Sequence, residues 1–446
     1  MYYNVIVVTG FVTEKIRGMG DAEREGPGGF MRNFKIITTV IVMLALILTM
    51  GVGCAKKEKP APVSTETTPA AVQYTGEVYF FPYTGMPTVD KEVIMRRPLS
   101  VKIENSKAAM MQEGINSADV VYETQVEGNY TRFNCIFQSN IPDEVGPVRS
   151  ARLSDLWIVP QYNGLFFFSG ANWQVNEKIA EAKLSNMSQD VASKPYHRVS
   201  IKRAPHNLYL DLSSAYDYAK DEKNYEITSS AIVPLEYDQA KQDAEREKLI
   251  ATLSATTAPG VSEGAAGLEE LPADTTVTAL ESPGTASGTT ASAASGPAVT
   301  GTSGAGVSDS AITAANVISW AIGRSNSARW EWNPDQQRYL RWSLGEEHQD
   351  SATDEQVYTS NLVVIYAKFT QQSVRDPAGN PTYDTELGDT TGSAIIFKDG
   401  TEIDGTWEAD RNSPPKFKDE QGNPIPLNPG KTWFTVFRES IKVTVE

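Results

Sequence analysis

Between positions 97 and 225 the chain interleaves short apolar strands with helical segments. Leu99-Ser-Val-Lys-Ile103 has the two-residue period of a strand. Asp119 to Glu127 and Thr131 to Ser139 read as two more strands. Gly128-Asn129 between them suits a two-residue hairpin turn. Leu165-Phe-Phe-Phe-Ser169 is an unbroken apolar run, the pattern of a central strand covered on both faces. Leu153 to Gln161, Val175 to Leu184 and Leu212 to Lys220 are helical candidates. The interleaving predicts an α+β or α/β N-terminal domain over 79–230.

From Val317 onward the pattern is that of strands and tight turns. Trp330-Glu-Trp332, Asn333-Pro334-Asp335 and Tyr339-Leu-Arg-Trp342 spell a hairpin. A second runs through Ala394-Ile-Ile-Phe397, Asp399-Gly400 and Glu402 to Trp407, with Asp-Gly at its turn. Asn361 to Phe369 and Trp433 to Phe437 add strands. This predicts a separate β-rich C-terminal domain, 317–446. Between the domains, 231–316 holds a charged helical stretch, Glu236 to Leu249, and then a biased segment. Of residues 251–310, 46 are Ala, Ser, Thr, Gly or Pro, and none is aromatic, Lys or Arg. Such a segment buries too little apolar surface to offset its ordering entropy, and disorder is expected.

The strongest signal lies upstream. Met31-Arg-Asn-Phe-Lys35 is followed by an uncharged apolar run from Ile36 to Gly53 and then Cys54. A basic head, an apolar body and small residues before a cysteine form the layout of a lipoprotein signal, 31–54, with Cys54 the lipidated residue. Gly51 stands where an aliphatic residue is usual, and the run nears the length of a spanning helix, so an uncleaved anchor is the alternative. Residues 1–30 fit neither, and Met31 is read as the true start. Residues 55–78 form a flexible tether.

Location and charge narrow the chemistry. An extracytoplasmic, lipid-anchored protein works apart from ATP and nicotinamide pools, and no phosphate-loop pattern is present, so no cofactor is implied. The net charge of −16 argues against nucleic acid as a partner, since phosphate neutralisation needs Lys and Arg. Cys54 and Cys135 are the two cysteines, so lipidation leaves Cys135 without a partner and predicts a buried small hydrophobe there. No Cys/His spacing suggests a metal site. His197 and His348 read as surface residues.

Several strings resemble the YerB-like family of bacterial lipoproteins, whose function is unknown. They are Arg97-Pro-Leu-Ser-Val-Lys-Ile-Glu-Asn105, Ala118-Asp-Val-Val-Tyr-Glu123, Val126-Glu-Gly128 with Thr131-Arg-Phe133, Gly146-Pro-Val-Arg-Ser-Ala-Arg152 and Arg203-Ala-Pro-His-Asn-Leu-Tyr209. Arg338-Tyr-Leu-Arg341, Gly405-Thr-Trp407 and Pro426-Leu-Asn-Pro-Gly-Lys-Thr-Trp433 continue the likeness through 315–446. The resemblance implies an N-terminal α/β domain, a β-rich C-terminal domain and a lipid anchor. It supplies no catalytic mechanism.

Candidate chemistry gathers in the N-terminal domain. A two-residue turn would pair Gln125 with Arg132 and set Glu123, Glu127, Arg132 and Asn134 on one polar face. Glu104 and Asn105 end a strand, where open sheets tend to hold ligands. Arg149 and Arg152 flank a Gly-Pro turn, and His206-Asn207 follow Pro205. Convergence of these groups would make an anion-binding pocket, with paired arginines as the clamp. The competing reading is a solvated face with weak ion pairs, and His206 capping a backbone carbonyl. Two functions follow: a binding lipoprotein for a cell-wall polymer or envelope protein, or an envelope hydrolase or transferase using Glu104, Glu123 or Glu127. Trp330, Trp332, Trp342, Trp407 and Trp433 serve as binding aromatics or, more commonly, as hairpin core. Replacing Cys54 (Cys54→Ala) is expected to abolish globomycin-sensitive processing and membrane retention; a variant that still reaches the membrane favours the uncleaved anchor.

Overall fold

The computed structural model describes residues 73–256, 313–324, 326–376 and 378–446. The signal stretch, Cys54, most of the tether and most of the biased segment lie outside the described residues. A short hairpin (Tyr79–Phe80 with Pro87–Thr88) and a helical turn (Lys91–Met95) precede strands β1 (Leu99–Asn105), β2 (Val120–Gln125) and β3 (Thr131–Phe137) in the N-terminal region. Helix α1 (Asp155–Gln161), strand β4 (Leu165–Phe167), helix α2 (Trp173–Glu181) and strand β5 (Ser185–Asn186) follow. Helix α3 (Gln239–Thr256) has no buried residue and runs six residues into the segment expected to be disordered. The expected helix at 212–220 is only a short turn, Ala215–Asp217, passing into a π-helical turn at Tyr218–Glu222.

The C-terminal region supplies β6 (Val317–Ile322), β7 (Asn326–Asn333), β8 (Arg338–Ser343) and β9 (Asn361–Tyr366). A hairpin of β10 (Phe369–Arg375) and β11 (Pro381–Thr385) precedes a longer one of β12 (Thr390–Lys398) and β13 (Thr401–Ala409). Strands β14 (Thr432–Phe437) and β15 (Val443–Val445) end the chain. The C-terminal region is β-rich, as expected, but it does not build a sheet apart from the first region. Strand β14 lies parallel to β9 on one side and to β2 on the other, and so fuses both regions into one eleven-stranded sheet. Its main path runs β13-β12-β9-β14-β2-β3-β1-β4-β5. A six-stranded sheet centred on β6, β7 and β8 packs against one face.

The sheet's central position makes β2 buried along its whole length. Val121, Phe133, Cys135 and Trp433 face Trp320 and Trp330 of the second sheet, while Tyr122, Ile136 and Phe434 face Trp407 and Phe417. Trp330, Trp407 and Trp433 are thus core, consistent with the commoner expectation for strand tryptophans. Cys135 is buried and free. Strand β4 is buried, but it lies near the sheet's edge, covered by α1 and α2, instead of at the centre.

One polar cluster crosses between the regions inside this core. The Glu123 carboxylate, fully buried, accepts from Arg341 Nη2 at 3.1 Å, Trp433 Nε1 at 3.2 Å, Thr131 Oγ1 at 2.8 Å and Asn105 Nδ2 at 3.1 Å. The Arg341 guanidinium sits among the rings of Phe133, Trp330 and Trp433. Its Nη1 donates to His348 Nδ1 at 2.6 Å, and His348 Nε2 lies 2.8 Å from Gln112 Oε1. A guanidinium only donates, so Nδ1 must accept and the ring is the neutral Nε2–H tautomer. His348 is therefore no surface residue. Lys431 Nζ and the Asp350 carboxylate add two more links, to Ile115 O at 2.9 Å and Gly114 N at 2.9 Å.

Burial, then the nearby Arg341 and Lys431 charges, hold the His348 pKa well below its usual 6.5. A depressed folded-state pKa gives stability that is present above the unfolded value and lost as pH falls below it. The stability gap between the native protein and His348→Gln is expected to shrink by about 2 kcal/mol between about pH 7 and about pH 5, as urea unfolding would measure. A gap that does not vary with pH would refute the neutral assignment.

Candidate functional site

The turn after β2 decides which side chains reach the surface together. Residues Glu127–Asn129 form a 3-10 turn closed by the Val126 N–H donating to Tyr130 O at 2.8 Å, with Gly128 and Asn129 at positive φ. The loop therefore holds three residues, not two, and pairs Glu123 with Phe133, Thr124 with Arg132 and Gln125 with Thr131. That is one residue away from the register expected from Gly128-Asn129. A one-residue slip moves one strand's side chains to the other face. Glu123 consequently shares a face with Phe133, inside the core, while Arg132 and Asn134 point to the opposite face. The common polar face of Glu123, Glu127, Arg132 and Asn134 does not exist.

Arg132 instead lies beside Glu104 of β1, its cross-strand partner. Beyond the end of β4 the free edge of β1 is taken by the 147–149 segment: Glu104 N–H donates to Pro147 O at 2.9 Å, and Arg149 N–H to Lys102 O at 2.8 Å. This backbone stitch sets Arg149 next to Glu104. The following turn leads into α1, where Asp155 accepts the Arg152 N–H at 2.7 Å. Asp155 also accepts from Lys102 Nζ at 2.7 Å and Asn134 Nδ2 at 3.0 Å, and the Lys102–Asp155 pair is completely buried. A buried ion pair thus underlies the loop that presents both arginines.

The result is a cleft of about 770 Å³. Of the residues expected in the site, Glu104, Asn105, Glu127, Arg132, Arg149, Arg152 and His206 line it together. Glu123 does not, being committed to Arg341. Asn207 does not either: its side chain joins Arg198 Nη1 at 2.7 Å and Val199 O at 3.0 Å within its own loop. His206 caps no carbonyl; its Nδ1 lies 2.9 Å from both Glu104 oxygens. The cleft also takes Lys107, Tyr130, Arg324, Leu344 and Asp376, which sequence reading missed. Arg324, Leu344 and Asp376 come from C-terminal turns distant in sequence, and nothing local marks them.

Five basic side chains (Lys107, Arg132, Arg149, Arg152, Arg324) meet three acidic ones (Glu104, Glu127, Asp376) around the cleft. Two are matched closely: Arg149 Nε lies 3.0 Å from Glu104 and Arg152 Nε 2.7 Å from Glu127. Arg149 Nε is near its carboxylate without the alignment of a hydrogen bond. Arg132 has no such match. Its Nη1 donates to Ser150 O at 3.2 Å, and among the described residues no carboxylate lies within ion-pair distance of it. Burial first, then the neighbouring Arg152 and Arg149 charges, lower its pKa to about 9. The guanidinium stays charged at neutral pH, but without the anion its surroundings favour. Among the described residues no group of three or more His, Cys, Asp or Glu is placed to hold a metal ion.

Residues 83–226 match the N-terminal domain, and 317–434 the C-terminal domain, of a protein family of unknown function, DUF3048. The chain belongs to this family. It is 33% identical over 161 residues to the "Putative lipoprotein YerB" of Bacillus subtilis (strain 168), a match covering 35% of this chain and 47% of that protein's length. The crystal structure of YerB protein from Bacillus subtilis superposes with a TM-score of 0.60 at 20% identity, over 82% of this chain and 99% of that one. That likeness establishes the shared fold. Both family domains contribute to the cleft described above. Among the described residues no helix is long and apolar enough to cross a membrane.

Removing one partner of a buried pair strands the other. Lys102→Met is expected to cost about 3 kcal/mol in urea unfolding. Lys102→Met should also free the arginine loop, seen as faster amide exchange at residues 149–152 than in the native protein. Unchanged exchange there would mean that the loop does not rest on Asp155.

Proposed function

We propose that this protein is a membrane-tethered extracytoplasmic lipoprotein that binds an anionic group of a cell-wall polymer or an envelope partner protein in the Arg132 cleft. One observation carries the reading: a largely buried guanidinium without a carboxylate partner lines an open cleft, flanked by two arginines whose charges are already matched. Burying a charge without a counter-ion is costly unless something supplies one. The name of the Bacillus relative supports the lipoprotein part, and the basic head, apolar body and Cys54 of residues 31–54 point the same way.

A second reading, an envelope hydrolase or transferase, rests on His206. Glu104 engages Nδ1, while Nε2 makes no hydrogen bond to the described residues on a ring that lines the cleft. A carboxylate-oriented imidazole is a general-base arrangement. The carboxylates themselves suit that chemistry less well, because Glu104 and Glu127 already serve as counter-ions to Arg149 and Arg152.

The test is co-sedimentation with isolated cell-wall fragments. Replacing both flanking arginines (Arg149→Gln with Arg152→Gln) is expected to weaken binding at least about tenfold, since each charge-assisted contact contributes on the order of 1.5–3 kcal/mol. Undiminished binding would remove the cleft as the binding site. Release of soluble fragments from the walls, lost in His206→Ala, would shift the assignment to the enzyme.

A further inference from the structure

The charge balance and the walls of the cleft name the chemical class of the ligand. The lining carries two more basic than acidic side chains, in a protein whose net charge is −16. A single carboxylate brings one negative charge, whereas a phosphate monoester brings close to two and three acceptor oxygens. Three arginines, Arg132, Arg149 and Arg152, line the same cleft, and planar forks of this kind match phosphoryl oxygens pairwise. Size adds a second constraint. A volume of about 770 Å³ far exceeds what one phosphoryl group fills, so there is room for the organic part that carries it. The remaining wall suits a carbon skeleton. Tyr130 stands 43% exposed on the turn beside the arginines, and Val126 and Leu344 line the same cleft. An exposed tyrosine ring beside polar groups offers an apolar face to a ring or chain of C–H groups.

We infer that the cleft takes a phosphoryl ester of a sugar or polyol, with the phosphoryl group on Arg132 between Arg149 and Arg152 and the carbon skeleton against Tyr130. This rests on the anion-binding reading given above and narrows it. Arg132 is then the specificity anchor. Because no carboxylate among the described residues lies within ion-pair distance of it, it contributes little to stability and much to binding.

Titration calorimetry on the mature chain tests the assignment with three probes: glucose 1-phosphate, glucuronate and inorganic phosphate. Glucose 1-phosphate is expected to bind at least about tenfold more tightly than glucuronate. Arg132→Gln should abolish that binding while the thermal midpoint holds or rises, which separates lost recognition from lost folding. Tyr130→Ala should weaken glucose 1-phosphate several-fold and leave inorganic phosphate unchanged. Glucuronate binding as well as the phosphate ester, or Arg132→Gln leaving affinity intact, would overturn the inference. Wall fragments distinguish it from the broader reading. Fragments bound equally before and after phosphatase removal of their phosphate monoesters overturn the phosphoryl assignment and leave anion binding in place. If intact walls are ignored while glucose 1-phosphate still binds, the wall reading fails and the phosphoryl assignment stands. Binding to phosphatidic acid vesicles that Arg132→Gln abolishes would place the same phosphoryl chemistry on a lipid headgroup.

Discussion

The buried Glu123–Arg341 pair is the constraint around which this molecule is arranged. Removing two charges from water is expensive, and the cost is offset only when every remaining donor and acceptor is satisfied. Here Glu123 collects donors from both halves of the chain, Thr131 and Asn105 from one and Arg341 and Trp433 from the other. Arg341 is enclosed by three aromatic rings and holds a neutral His348. Neither half can satisfy this cluster alone. The fusion of the two regions through β14 is therefore electrostatic as well as a matter of strand pairing.

The candidate site inherits its geometry from that core. Asn105 and Thr131 touch both Glu123 and the cleft, so the pocket floor is fixed by the same hydrogen bonds that join the regions. A second buried pair, Lys102–Asp155, holds the loop bearing Arg149 and Arg152 from beneath. Rigid support of this kind lets a largely buried arginine line the cleft without a paired carboxylate, where a flexible one would turn to solvent. The matched pairs Glu104–Arg149 and Glu127–Arg152 then fix the orientation of the walls, leaving Arg132, largely buried, without a carboxylate at ion-pair distance.

Three of the expectations drawn from residues failed where tertiary burial overrode a local signal. Gly128-Asn129 suggested a two-residue turn, yet Glu127 joins the turn and shifts the pairing by one. Local sequence signals the presence of a turn; the register is settled by which face each strand must bury. With β2 enclosed by two layers, both of its faces are buried, and alternation loses its meaning as an inside–outside code. Glu123 looked like a surface carboxylate and His348 like a surface histidine because polar residues are seldom buried. Each is buried only because the other half of the chain delivers its partner.

The amino-acid sequence by itself determined many of the strands and most helices, the β-rich character of the second half, the tryptophan core of its hairpins and the family. It also marked most of the cleft, since Glu104, Arg132, Arg149, Arg152 and His206 stand in strings near strand ends and turns, where polar groups gather. Those features depend on residue spacing over a few positions, and a chain read in order displays them directly. The tertiary structure alone decided that β14 joins both regions in one sheet, that Glu123 serves the core and not the cleft, and that Arg324, Leu344 and Asp376 line the cleft. These depend on contacts between residues some two to three hundred positions apart, and no local pattern encodes which distant charge will meet which.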